Sequence, residues 1–202
     1  MIKIISKIVS YIFHPLLMAT WFVLLLLYTN PFSFAGMPNG IVIGVVFVNT
    51  FMFPAIALLL MRKLDFIDSL ELPDKKQRII PLVATIVFYV WAFLAIKKLN
   101  FPFMVGIFML GSVVSLFLAF FINVFSKISL HMVGISGALT AIMLLVFISP
   151  ADVSYYFLLL IVLTGAVATA RLYLNAHTIK EVYAGFIVGM IGQIFGLILY
   201  HP

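Results

Sequence analysis

Apolar residues run along this chain in long stretches, and polar residues gather in the gaps between them. Seven stretches approach the roughly 20 residues that a helix needs to cross a bilayer. They cover residues 8–28, 40–61, 79–96, 101–125, 130–149, 153–170 and 181–200. None alternates apolar and polar positions with period two, so the pattern is not that of a transmembrane β-barrel. The expectation is an all-α integral membrane protein, a bundle of about seven transmembrane helices. These form a single membrane domain over residues 1–202 with no soluble appendage. Lys3 and Lys7 ahead of the first stretch could open a signal peptide. The stretch continues to Tyr28 without a small-residue cleavage site, so a retained helix is expected.

The gaps differ in character. Residues 30–39, residues 150–154 and the C-terminus hold one acid, Asp152, and no Lys or Arg, while residues 97–102 form a tight turn with Lys97 and Lys98. Residues 62–78 are polar throughout, and residues 126–130 and 171–180 are polar as well. An odd number of helices separates the poor gaps from the rich ones, so the two kinds fall on opposite faces. The rich face carries Lys3, Lys7, Arg62, Lys63, Lys75, Lys76, Arg78, Lys127, Arg171 and Lys180, against Lys97 and Lys98 on the other. Setting aside the four basic residues assigned below to a phosphate site leaves the same sign. Cytoplasmic loops carry the excess of Lys and Arg, which makes the rich face cytoplasmic.

Composition sharpens this picture. The chain is 65% apolar and 9% charged, with a mean hydropathy of +1.29. Soluble domains carry about 25% charged residues, so a soluble globular protein is excluded. A net charge of +6 in so apolar a chain points to anionic lipid or phosphate as partner, not to nucleic acid. The absence of cysteine excludes disulfides, thiol catalysis and thiolate metal sites.

Candidate chemistry centres on two of the four histidines. His201 at the terminus and His14 before Pro15 read as interfacial or helix-packing residues. His131 and His177 each open an apolar stretch on the rich face, among polar partners. In a helix His177 and Glu181 share a face, so the carboxylate can hold one ring nitrogen and free the other. Arg171 would lie on another face of a continuous helix, and a turn between stretches six and seven would bring it to His177. Two structural readings stand beside this one. Residues 178–181, Thr-Ile-Lys-Glu, also fit a capping box for the last helix, and Arg171 could snorkel to the headgroups.

Residues 171–185 read Arg-x5-His-x3-Glu-Val-x2-Gly, which resembles the third signature of the type 2 phosphatidic acid phosphatase superfamily, Ser-Arg-x5-His-x3-Asp-Val-x2-Gly. Ile128-Ser129-Leu130-His131 occupies the place of that family's second signature, Pro-Ser-Gly-His, two stretches upstream. The resemblance covers approximately residues 120–195. The first signature, Lys-x6-Arg-Pro, is not present as such; the nearest candidate is Asp74-Lys-Lys-Gln-Arg-Ile-Ile-Pro81, which holds Lys76 and Arg78 ahead of the third stretch. Ala170 stands where the family has serine, Leu130 where it has glycine, and Glu181 where it has aspartate.

The resemblance implies a metal-independent lipid-phosphate phosphatase working at the membrane interface through a phosphohistidine. In it His177 is the nucleophile, Glu181 orients the ring, and His131 is the general acid. Arg171, Lys127, Ser129, Arg78 and Lys76 hold the phosphoryl oxygens. No metal or other cofactor is required, and the substrate is a lipid phosphate or polyprenyl pyrophosphate drawn from the membrane lipids. The protein is then integral to a bacterial-type inner or plasma membrane. The basic-residue count puts the site on the cytoplasmic face, against the outward or lumenal placement usual in the family.

The physical requirements agree with these residue types. Cleaving a phosphate monoester needs neutralised oxygens, an in-line nucleophile and a proton for the leaving alcohol. An arginine fork, lysines, helix N-termini and two histidines can meet them. A metal reading of Asp65, Asp68, Glu71 and Asp74 is weaker, because all four lie on one segment interleaved with Lys and Arg. Two other functions stay open. One is a catalytically weak relative that binds anionic lipid or pyrophosphate headgroups. The other is a small transporter or scaffold, which predicts internal repeats and polar residues at mid-membrane. The sequence does not fix the oligomeric state. Gly185, Gly189, Gly192 and Gly196 predict close packing of the last helix inside the bundle. Asn49, Asn123 and Gln193 are expected to bond to neighbouring helices.

Overall fold

The computed structural model describes residues 1–34, 36–72, 74–148 and 152–201. These residues fold into α1 (Ile2–Ile12), α2 (Met18–Thr29), α3 (Asn39–Phe47), α4 (Phe53–Lys63), α5 (Ile79–Lys98), α6 (Phe103–Phe125), α7 (Leu130–Ile148), α8 (Ser154–Tyr173) and α9 (Ile179–Leu199). They contain no strand, and they supply seven helical segments long and apolar enough to cross a membrane. The expected end of the fifth stretch at residue 149, residues 150 and 151 of the gap at 150–154, and the last residue lie outside the described residues.

Two of the expected helices are interrupted, each at a proline. The first stretch breaks at His14-Pro15, because proline has no N–H to continue the ladder and its ring crowds the preceding turn. The chain passes through a 3-10 turn (Pro15–Leu17) before α2 begins, and Trp21 Nε1 donates to Ile12 O at 2.9 Å across the bend. In the second stretch, α3 and α4 are joined by a π turn at Val48–Met52, just before Pro54. There the Phe53 N–H reaches back to Val48 O, the widened spacing of a π bulge.

In a bilayer, whose lipid tails are as apolar as leucine, burial alone would do little to hold such helices together; close packing and hydrogen bonds would. Helix α9 shows this directly. A Cβ on Gly185 would lie 2.5 Å from Ser129 O and one on Gly189 2.3 Å from Val133 O, both against α7. A Cβ on Gly192 would lie 2.7 Å from Gly111 O and one on Gly196 2.6 Å from Ile107 O, both against α6. The stripe therefore seats α9 between α6 and α7, as the spacing predicted. Gln193 adds a bond from Nε2 to Phe108 O at 3.3 Å. The core continues from there through Phe22 of α2, which stacks on Phe108 with centroids 4.0 Å apart.

The rich gaps meet at one end of the bundle. Lys75 Nζ donates to Phe125 O at 2.8 Å, Asn123 Nδ2 to Lys75 O at 2.9 Å, and Arg78 to Ile128 O at 3.1 Å. Lys127 Nζ donates to Ala176 O at 3.0 Å, which ties the α6–α7 turn to the α8–α9 turn. At the other end Lys97 Nζ donates to His201 O at 3.1 Å, and Tyr28 packs edge-on to Tyr156. Asn123 and Gln193 thus bond to other segments as expected. Asn49 does not: its Nδ2 donates to Val45 O of its own helix at 2.8 Å, the local satisfaction open to a short polar side chain.

Candidate phosphate-binding site

The turn between α8 and α9 builds the site. Helix α8 ends in a Schellman motif: Asn175 takes the left-handed conformation at φ 51°, its N–H bonds to Leu172 O, and the Ala176 N–H bonds to Arg171 O. This reversal puts Arg171 within electrostatic range of His177, which a continuous helix would not do. Thr178 then caps α9, its hydroxyl accepting from Glu181 N–H at 3.4 Å. Only half of the capping box forms. The Glu181 carboxylate turns to His177, with Oε2 2.6 Å from Nδ1.

Helix α9 is held against the start of α7 at the same level. Ser129 N–H donates to Glu181 O at 3.2 Å, and the absence of a side chain on Gly185 lets the two backbones meet. Leu130, the residue standing in a glycine's place, opens α7 without positive φ, so its N–H remains at a helix N-terminus where anions are favoured. Two groups here are buried without a hydrogen-bond partner, Ser129 Oγ and Arg171 Nε. Each can donate a hydrogen bond, and an orphaned buried donor is costly unless a ligand meets it.

The electrostatics are one-sided. The His177 side chain is 2% exposed. Burial pushes its imidazole down to about 4; the Glu181 bond opposes this, and the charges of Arg78, Arg171 and Lys127 act with burial. At neutral pH the ring is therefore uncharged. Its Nδ1–H donates to the carboxylate, and Nε2 keeps a free lone pair. Lys127 is also pushed down, by burial first and then by the Arg78 charge, with Glu181 opposing. Arg78 is itself buried, fixed by Leu72 O at 2.8 Å and by Ile128 O. An open cavity of about 390 Å³, lined by Lys127, Asn175, Ala176, His177, Thr178 and Glu181 among others, fronts the group. Three cations around a neutral, oriented imidazole can hold a dianion and present a nucleophile to it.

His131 stands half-buried at the start of α7, within electrostatic range of both Arg171 and His177. Its Nε2 lies 3.1 Å from Ser10 O of α1. Because a carbonyl only accepts, that nitrogen carries the hydrogen and Nδ1 is left uncommitted. His14 lies against the same ring with centroids 5.5 Å apart, edge-on. His14, read from the sequence as an interfacial or helix-packing histidine, thus packs between elements; its contact with His131 is what the sequence did not indicate. Lys76 is the one expected ligand that the structure does not gather. It is exposed and has no hydrogen bond to the cluster among the described residues, because the 3-10 turn Lys76–Arg78 buries Arg78 and leaves Lys76 outside. Of the acidic run, Asp65 pairs with Arg62 at 3.7 Å and Asp68 bonds to Gln77, both away from the histidines.

No family model matches this chain, and neither a curated protein nor a solved structure does.

Proposed function

We propose that the protein is an integral membrane phosphatase that hydrolyses lipid phosphates or polyprenyl pyrophosphates without a metal. The observation that carries this reading is the 2.6 Å His177–Glu181 pair, a neutral imidazole oriented by a carboxylate among three cations. In the first step His177 Nε2 attacks phosphorus, the N–P bond forms and the P–O bond breaks. Protonated His131 gives the hydrogen on Nδ1 to the departing oxygen, that of the alkoxide from a monoester or of the lipid phosphate from a pyrophosphate, while Ser10 O keeps hold of the Nε2–H. Arg171, Lys127 and Arg78 neutralise the phosphoryl oxygens, with Ser129 Oγ as a further donor. In the second step water attacks the phosphohistidine and returns its proton to His131, releasing phosphate.

Phosphate release from a panel of lipid phosphates and polyprenyl pyrophosphates, with chelator present, tests the proposal. His177→Ala should abolish turnover, and His131→Ala should cost about 10²–10⁴-fold. Full activity in His177→Ala, or a requirement for added Mg²⁺, would refute the mechanism. A wild type inactive on every phosphate would favour a headgroup-binding relative, with Leu130, Ala170 and Glu181 the first residues to revert. The transporter reading has less support, since these polar groups meet at one end of the bundle. The basic-residue count favours the cytoplasmic face for the site. Cysteines introduced at Ser33 and Ser154 should then be labelled from outside intact cells, and labelling only after permeabilisation would reverse the orientation.

A further inference from the structure

We infer that His14 is a positioning residue for His131, its ring held edge-on against the acid so that, with Ser10 O, it fixes that imidazole for proton transfer. The inference rests on the reading of His131 as the acid that protonates the leaving group. It starts from which nitrogens are committed. His14 caps the 3-10 turn that follows it: its Nδ1 accepts from Leu16 N–H at 3.4 Å, so its hydrogen resides on Nε2. The Nε2–H of His131 is committed to Ser10 O. Each ring therefore keeps one free nitrogen, a donor on neutral His14 and an acceptor on neutral His131.

The geometry is held by backbone. Helix α1 packs against α8 and buries Ser6 and Ser10, so the carbonyl that engages His131 belongs to a fixed helix end. Pro15 breaks the chain next to His14, and the 3-10 turn that it opens packs on α7. One turn further along α7 from His131, Gly134 lets Met18 of α2 approach, a Cβ there falling 2.8 Å from Met18 Cγ. These contacts keep the rings 5.5 Å apart and edge-on.

The charged or titratable groups facing the pair are Arg171 from α8 and His177 from the turn that follows it. An arriving phosphate dianion would meet the Arg171 guanidinium beside the two rings. His131 Nδ1 then gives its proton to the alkoxide while His14, edge-on to the same ring, keeps that ring in place.

The test uses the full-length protein and His14→Asn, which keeps an acceptor for Leu16 N–H but loses the second ring nitrogen. Two substrates separate the roles. An alkyl phosphate such as short-chain phosphatidic acid needs a proton on its leaving group, whereas p-nitrophenyl phosphate does not. His14→Asn should lose about 10–100-fold in kcat/KM on the alkyl phosphate and little on the aryl one, a smaller version of the His131→Ala pattern. The double variant should be no worse than His131→Ala alone. Equal losses on both substrates, or a further loss in the double variant, would overturn the inference. Histidine NMR titration needs no turnover, so it separates failure of the phosphatase reading from failure of the pair. The His131 midpoint should move in His14→Asn even if no phosphate is hydrolysed. An unmoved midpoint would sink the pairing.

Discussion

Gly185→Ala perturbs the contact on which the site is built. The added Cβ would lie 2.5 Å from Ser129 O and 2.9 Å from Met132 Cβ, where ordinary contact begins at 3.4 Å. Ser129 O is backbone and already accepts from Val133 N–H, so it cannot swing aside as a flexible side chain would. The start of α9 must back away from α7 by about 1 Å, stretching the Ser129–Glu181 bond. Overpacking of this kind costs about 1–3 kcal/mol. At about 2–4 °C per kcal/mol for a chain of this size, the melting temperature in detergent should fall by roughly 2–12 °C. Gly165→Ala is the matched control, a helical glycine with nothing within 4 Å of its added Cβ. It should leave stability unchanged or raise it, because alanine is the better helix former. Scanning fluorimetry on both variants reads the difference. If Gly185→Ala melted with Gly165→Ala, the argument that a backbone contact at Ser129 sets the position of α9 would be wrong.

Two further predictions concern charge. Between about 4 and the ordinary histidine value of 6.5 the folded His177 binds fewer protons than the unfolded one, so its contribution to stability is complete above that window and is lost as pH falls through it. The acid limb of any phosphatase activity assigned to His177 should correspondingly lie nearer 4 than 6.5, and a pH–rate profile falling at 6.5 would contradict the neutral buried imidazole. Arg78→Met removes one of the charges that hold His177 down, so the His177 midpoint should rise in NMR titration. It also frees Leu72 O and Ile128 O, at a cost of about 1.5–3 kcal/mol for lost charge-assisted bonds; an unshifted midpoint would place Arg78 outside the site.

Hydropathy carried most of the fold, because length and apolarity decide which segments can span a bilayer. Five of the seven expected stretches correspond to uninterrupted helices, with ends displaced by a few residues. The interruptions escaped because Pro15 and Pro54 change backbone hydrogen bonding without lowering mean hydropathy. In the candidate site, the i, i+4 spacing of His177 and Glu181 was legible because a helix enforces it. Arg171 required the left-handed Asn175, a residue tolerant of that conformation but not bound to it. The contact between His14 and His131 was not legible for another reason: the two meet only through the packing of α1, the 3-10 turn and α7, and no local pattern encodes that. Lys76 failed the opposite way, its spacing from Arg78 saying nothing about which of the two a 3-10 turn would bury.

The glycine stripe of α9 also bears on how the chain assembles as it emerges from the ribosome. Helices α6 and α7 are made before α8 and α9, and until α9 arrives the backbone carbonyls of Ile107, Gly111 and Val133 border an unfilled slot. That slot suits only a helix with small residues at the right heights, which protects it from mispairing with the bulky faces of α2 or α5. Arg171, His177 and Glu181 travel with the later α8 and α9, while Arg78, Lys127 and His131 belong to segments made before them. The cationic pocket therefore closes in the same event that seats α9 between α6 and α7, and a chain stopped before that step would hold these charges apart.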